Sequence, residues 1–361
     1  MFNNFYENKK ILVTGHTGFK GSWLSIWLLH LGADVIGYAM DPYTPKDNFV
    51  VTDLSHKMVD IRGDIRDFEK FNSVVDEYKP EIIFHLAAQP IVRLSYDIPR
   101  ETIETNVMGT VNVLEAFRRS QSVKILVVIT SDKCYENKEW IWGYRENDPV
   151  GGYDPYSASK GVAELVSSAY MRSFFNPEDF KKHRKVISTV RAGNVIGGGD
   201  WAKDRIIPDC IRALEEDRPI EVRNPQSVRP WQHVLEPLKG YLLLASKMLE
   251  DPAKYSGAWN FGPDPESIIT VKEVVEKVIK YYGKGSWKDT SNLNEVHEAK
   301  LLNLYTSKAR FLLGWKPMLN VNEAIKMTVE WYKKYQTEDV SKICEDQIES
   351  FTVDEGGQNY G

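Results

Sequence analysis

Residues 10–21 read Lys10-Ile11-Leu12-Val13-Thr14-Gly15-His16-Thr17-Gly18-Phe19-Lys20-Gly21. A short apolar run ends in three glycines spaced three apart. Phe19 to Leu31 follows, with Trp23, Ile26, Trp27 and Leu31 near helical spacing. The stretch predicts a buried strand, a tight loop and a helix closed by Gly32. Gly15 permits the turn, Gly18 lets the backbone approach a pyrophosphate, and Gly21 allows the helix to pack close on the strand. The helix N-terminus then faces the phosphates. A merely tight strand–helix turn would also use glycines. At the first strand of an alternating chain, the spacing favours a dinucleotide site.

The pattern repeats outward from there. Asp34 to Ala39 reads as a second strand and Lys57 to Ile61 as a weak third. Asp67 to Tyr78 reads as a helix, Glu81 to Ala87 as a fourth strand and Arg100 to Arg118 as a helix. Lys124 to Thr130 is a fifth strand, Asp154 to Phe174 a long helix and Lys185 to Val190 a sixth strand. Continuous apolar strands alternating with helices imply an α/β fold, a doubly wound parallel sheet of Rossmann type covered on both faces. After Arg191 the alternation breaks. Ile206 to Leu214 and Leu235 to Leu249 read as helices, and Val271 to Tyr282 as a third with a Thr270/Glu273 capping box. These pieces suggest a smaller mixed α/β C-terminal domain. The expected division is 1–192 plus about 232–256 for the sheet domain and 193–231 plus about 257–345 for the smaller one. From about Glu345, and over 346–361, a mobile tail is expected.

Composition narrows the class. The chain has 361 residues and a net charge of -5, so a broad nucleic-acid footprint is disfavoured. No apolar run is long enough to span a membrane, and no signal peptide is visible in MFNNFYENKK. Cys134, Cys210 and Cys344 are far apart and lack a CxxC, which argues against a disulfide framework or zinc site and fits the cytoplasm. Neither histidine nor cysteine spacing supports a metal site.

Asp41 follows the second strand at the distance where an acid binds adenosine ribose hydroxyls, favouring NAD over NADP; a solvated turn is the alternative. Asp64-Ile65 follows the third strand, where the carboxylate reaches an adenine amino group or simply starts a helix. Tyr156-Ser157-Ala158-Ser159-Lys160 is YxxxK. On a helix those two residues share a face, and the ammonium is expected to lower the phenol pKa and to hold a ribose. The pair is a candidate general base for a substrate hydroxyl. Ser131, at the end of strand five, is placed to bond the same hydroxyl. Asp132 and Lys133 add two titratable groups there.

These motifs, with His85-Leu86-Ala87-Ala88 and Thr105-Asn106-xx-Gly109-Thr110, resemble the extended short-chain dehydrogenase/reductases that act on nucleotide sugars. The longer strings His85 to Pro90, Arg191 to Trp201 and Arg229 to Val234 are similar to those of the 4,6-dehydratases acting on CDP-D-glucose. The match covers about residues 8–335. The resemblance implies NAD contacts at Gly15, Thr17, Gly18, Phe19, Gly21, Asp41, Asp64, Ile65, Leu86, Ala87, Ala88, Asn106, Tyr156 and Lys160. It implies substrate contacts at Gln89, Ser131, Asn194, Arg205 and Arg229, the last on the pyrophosphate. It also implies a homodimer or homotetramer built on the Tyr156 helix and the helix after strand four.

In these dehydratases a hexose is oxidised at carbon 4, loses water across carbons 5 and 6, and is reduced at carbon 6. By the same matching, Tyr156 takes the 4-hydroxyl proton and Asp132 protonates the leaving hydroxyl. The commoner pattern has Asp-Glu, with Glu as base at carbon 5; here Lys133 stands in that place. A buried Lys133 with a depressed pKa would serve as base, or it would only stabilise the enolate. Trp201 and Trp231 either pack in the core or lie on base or sugar, and His297-Glu298 is a weak loop candidate. A 4-epimerase or another nucleotide-sugar dehydratase shares most of this pattern, but an epimerase has no use for an acid at Asp132. A non-catalytic NAD sensor would not need an intact Ser131, Tyr156 and Lys160, and in a methyltransferase YxxxK would have no task.

Overall fold

In each strand the pleat sends alternate residues to opposite layers, and here both layers are apolar. Ile11 and Val13 join a core with Val35, Ile82, Phe84, Ile125 and Val127. Leu12 joins a second core with Ile36, Ile83, Leu126 and Ile187. The computed structural model describes residues 2–291 and 301–353. Its main sheet has seven strands: β1 (Lys10–Thr14), β2 (Asp34–Ala39), β3 (Val59–Arg62), β4 (Ile82–His85), β5 (Ile125–Ile129), β6 (Val186–Arg191) and β7 (Gly257–Asn260). Every pairing is parallel, in the order β7-β6-β5-β4-β1-β2-β3. β7 extends the sheet beyond β6, so the sheet domain expected to end near 256 runs on through Asn260.

One face is covered by α2 (Phe68–Tyr78), α3 (Gly109–Arg119) and α4 (Pro155–Phe174), the other by α1 (Phe19–His30) and α6 (Leu235–Lys247). α1 is apolar almost all round because it is itself sandwiched: Trp23, Leu24, Trp27 and Leu28 are fully buried. Its outer side is closed by α9 (Val340–Val353), where Phe351 meets Trp27 edge-on at 5.9 Å. The tail expected over 346–361 is therefore helix as far as Val353. Val340, Cys344, Ile348 and Phe351 recur at helical spacing and are buried; positions 354–361 lie outside the described residues.

The helix expected over Arg100–Arg118 is present, running without a break from Pro99 to Arg119 with one wider turn inside it. Pro99–Ile103 leads into a wide turn at Glu104–Met108 before α3 begins. The smaller lobe contains α5 (Ile206–Glu215), α7 (Val271–Tyr282) and α8 (Val321–Lys334). Two short strand pairs tie it together: Ile268–Thr270 against Val228–Pro230, and Trp287–Asp289 against Ile220–Val222. α7 opens with the expected Thr270/Glu273 capping box and ends at Gly283. No helix among the described residues is long and apolar enough to cross a membrane.

Candidate active site

The strand order reverses between β4 and β1, and the carboxyl ends of the strands there open into a cleft of about 1480 Å³. Gly15 and Gly21 build its floor by close approach. Gly15 has φ +74°, and a methyl group on it would lie 2.8 Å from the Ala87 nitrogen. On Gly21 it would lie 2.1 Å from the Gly15 oxygen, whereas on Gly18 the nearest atom is 3.4 Å away. Gly18 caps α1 with no side-chain bond, and the first turn carries no acid, so the leading N–H groups face the cleft. Thr17 is fixed by its bond to the Met40 carbonyl. Phe19, Leu86, Ala87, Ala88 and Ile65 all line the cleft.

Thr14 and His85 shape the opposite side of this floor. Thr14 Oγ1 accepts from the Leu86 and Ala87 amides and bonds His85 Nδ1 at 2.8 Å. Burial, aided by the Lys160 charge, drives the His85 pKa down to about 3, so the ring stays neutral. Asp41 lines the cleft with its carboxylate 89% exposed and Arg62 3.7 Å away. Asp64 also lines it, but its oxygens are taken by the Arg66 guanidinium and amide, which hold the carboxyl below its ordinary range.

Ser131, Asp132, Lys133, Tyr156 and Lys160 are brought together on one cleft. Asp154 and Pro155 start α4, so Tyr156 falls in its first turn and Lys160 one turn on. Both are buried and both face the cleft with Ser131, Asp132 and Lys133. The Ser131 hydroxyl donates to Asp132 Oδ1 at 2.9 Å. The other Asp132 oxygen faces the Asn194 amide at 3.5 Å.

The electrostatics differ from expectation. Burial outweighs the Ser131 hydrogen bond and pushes the Tyr156 phenol up to about 12, not down. Lys160 directs its ammonium to the Ile129 carbonyl at 3.3 Å, and burial pulls it down to about 8. Lys133 is half-buried rather than buried, and its ammonium has no hydrogen bond or ion pair among the described residues.

Two of the expected contact residues are held by bonds within the chain. Asn106 does not line the cleft. It is buried, and its amide bridges the Gln89 backbone and the Ser159 hydroxyl, which is the work of the wide turn at Glu104–Met108. Gln89 lines the cleft, yet its side-chain amide is taken by Ile91 and Thr102. On the far wall, Arg205 pairs with Asp200 at 2.7 Å, and Arg229 lines the cleft beyond it. Trp201 and Trp231 are buried at the cleft edge. His297 and Glu298 lie outside the described residues.

Residues 12–328 match the family described as GDP-mannose 4,6 dehydratase. The chain belongs to that family. It is 52% identical over 341 residues to the CDP-glucose 4,6-dehydratase of Salmonella typhimurium, covering 94% of this chain and 95% of the relative. An epimerase structure from Methanothermobacter thermautotrophicus superposes with a TM-score of 0.77 at 21% identity, covering 96% and 97% of the two chains. A dTDP-glucose 4,6-dehydratase from Bacillus anthracis, solved in complex with NAD, gives a TM-score of 0.72 at 23% identity, over 90% and 97%.

Within this GDP-mannose 4,6 dehydratase family member, sequence reasoning missed two site residues. Lys20 reaches into the cleft, and burial together with the Arg205 charge lowers it to about 8 against the pull of Asp132. A lone cation in an otherwise apolar helix was the available signal. Gly193 is the other. A methyl group there would lie 1.9 Å from Asp132 Oδ2, so Gly193 gives Asp132 its place.

Proposed function

We propose that this chain is a CDP-D-glucose 4,6-dehydratase, a hydro-lyase yielding CDP-4-dehydro-6-deoxy-D-glucose and water. The observation that carries this is the union of Tyr156, Ser131, Asp132 and Lys133 on one cleft, in a chain 52% identical to an enzyme of that name. NAD fits the floor of the cleft: the Gly15–Gly21 loop admits backbone close to a diphosphate, the uncapped start of α1 offers N–H donors, and Asp41 stands where ribose hydroxyls would lie. When bound, NAD supplies the acceptor for hydride from carbon 4 and returns it at carbon 6.

The chain's own groups do the rest. Tyr156, oriented by Ser131, takes the proton of the sugar 4-hydroxyl, and a cation close to the phenol lowers the cost of the phenolate. The new ketone acidifies carbon 5. Lys133, as the neutral amine, takes that proton, and Asp132, as the carboxylic acid, gives one to the departing 6-hydroxyl, so one water leaves. Lys133 then returns a proton to carbon 5. Arg205 and Arg229 bind the diphosphate, which suits the fork of a guanidinium.

Incubation with CDP-, dTDP-, GDP- and UDP-D-glucose tests the reading. The expected result is loss of one water and, in alkali, a chromophore of the 4-keto sugar with CDP-D-glucose. An isomer of unchanged mass would make the chain a 4-epimerase.

We take the enzyme to act in the cytoplasm as a homodimer or a larger homo-oligomer. Ile103, Met108, Val162, Leu165 and Phe174 are exposed on Pro99–Ile103, the wide turn and α4, and support self-association there.

A further inference from the structure

Beneath the catalytic segment lies a buried ion pair that no step above uses. Glu164 stands one turn beyond Lys160 on α4, and Arg191 ends β6; their side chains are 5% and 3% exposed. Arg191 Nε and Nη2 donate to Glu164 Oε1 and Oε2 at 2.9 and 2.8 Å. Each carboxylate oxygen accepts one bond more, from Thr130 Oγ1 at 2.5 Å and from Thr189 Oγ1 at 2.7 Å. Arg191 Nη1 donates to the Tyr135 hydroxyl at 2.6 Å, and that hydroxyl donates to Asn260 Oδ1 at 2.8 Å. Burial opposes both charges, and their mutual attraction outweighs it: Glu164 is held low and Arg191 high.

The partners bracket a short stretch of chain. Thr130 immediately precedes Ser131, Asp132 and Lys133, and Tyr135 closes the stretch two residues after Lys133. One ion pair therefore fastens both ends of the segment assigned to the loss of water. Arg191 also leads directly into Gly193 and Asn194, which pack on Asp132. Tyr156 has separate supports. Its helix is started by the Asp154 cap, and its own amide donates to Ser95 Oγ at 3.2 Å.

We propose that the Glu164–Arg191 pair, acting through Thr130 and Tyr135, is a positioning device for the elimination, setting Asp132 and Lys133 against carbons 6 and 5 and leaving oxidation at Tyr156 to its own supports. The assignment rests on the dehydratase reading above. It predicts that loosening the pair separates two steps that share one cleft.

Tyr135→Phe removes only the hydroxyl and keeps the ring that stacks on Tyr144 at 5.0 Å. Arg191→Lys keeps the charge and removes the fork. NAD-loaded wild type and variants are mixed rapidly with CDP-D-glucose. The near-ultraviolet absorbance of reduced nicotinamide is followed beside the loss of water by mass spectrometry. Thermal midpoint and calorimetric CDP binding are measured on the same preparations. In Tyr135→Phe, water loss is expected to slow about 10–100-fold, with the oxidation burst unchanged, reduced nicotinamide accumulating, and CDP affinity and thermal midpoint held. Arg191→Lys is expected to show the same order of steps. Oxidation and water loss slowing in parallel, or neither slowing, overturns the proposal and leaves the pair a purely structural one. A wild type that never removes water from CDP-D-glucose overturns the dehydratase reading itself, a result visible before any variant is examined.

Discussion

On the floor of the cleft, Gly15 and Gly21 leave no space for a methyl group, and the ligand would meet backbone N–H groups fixed by the sheet. On the far wall the ligand would meet cations already paired: Arg205 with Asp200 at 2.7 Å and Arg223 with Asp204 at 2.6 Å, the two guanidinium groups 32% and 35% exposed. The floor recognises by shape and carries little charge. The wall recognises by charge and can exchange a carboxylate for a diphosphate without remaking the fold. The first arrangement suits a group retained through many cycles, because nothing has to move. The second suits a substrate that enters and leaves at each turnover. The Arg223–Asp204 pair, with side chains 35% and 37% exposed, is worth little to stability, so trading it for a charged ligand costs the fold little.

The largest effect is expected where floor and wall meet. Tyr156→Phe removes the one group that takes the 4-hydroxyl proton and is expected to lower turnover about 10²–10⁴-fold, with thermal midpoint and CDP affinity unchanged. Turnover above a tenth of wild type would separate the phenol from the chemistry and dissolve the assignment of both regions.

A paired substitution breaks or sharpens the claim about shape. Gly21→Ala forces a methyl group into the Gly15 carbonyl and is expected to cost about 1–3 kcal/mol of stability, with NAD retention lost. Gly18→Ala meets nothing nearer than 3.4 Å and stands at an ordinary φ of -77°, so it is expected to fold normally and weaken only NAD binding. Melting curves and NAD titrations check both. Equal melting of the two variants would show that the floor is not held by close approach.

On the charged wall the effect is smaller and of another kind. Arg205→Gln and Arg229→Gln are each expected to raise KM for the nucleotide sugar about 10-fold or more, from the loss of one charge-assisted hydrogen bond. kcat should move far less for Arg229→Gln than KM does. A fall in thermal midpoint with KM unchanged would make these arginines structural instead.

The floor was also the more legible region. The β1 run and the glycine spacing have local causes, and YxxxK places its two residues by helix geometry alone. β7 was missed because Gly257–Asn260 is four residues long and is a strand only by pairing with β6. The direction of the Tyr156 shift was missed because spacing shows the nearby lysine but not the burial that outweighs it. The setting of Asn106 was not legible because a motif conveys its presence near the site, while only the fold shows that it bonds the Gln89 backbone. α9, by contrast, carried its period in plain view at Val340, Cys344, Ile348 and Phe351.

An effect that depends on pH concerns the seam between the two lobes, where the comparison asks whether shape or charge does the joining. Glu236, at the start of α6, accepts from the Met318 and Leu319 amides at 2.8 and 2.6 Å through one oxygen, and the other oxygen is buried with no partner among the described residues. Burial pushes its pKa from 4.5 up to about 7 despite those two bonds. Below pH 4.5 the group is protonated whether the chain is folded or not. Between that value and about 7 the unfolded chain releases a proton that the folded chain keeps, so this group's contribution to stability falls as pH rises and levels off above 7. The full swing is roughly 3 kcal/mol. His85 and His233, both lowered to about 3 by burial, act in the opposite sense, costing stability as pH falls below 6.5. They are present in both proteins compared and cancel. Glu236→Gln keeps an oxygen for the two amides and has no proton to lose. Its thermal midpoint is expected to exceed that of wild type at pH 8, with the difference shrinking toward pH 5. A difference that stays constant with pH would mean that the seam is held by packing and that the carboxyl is ionised in the folded chain without cost.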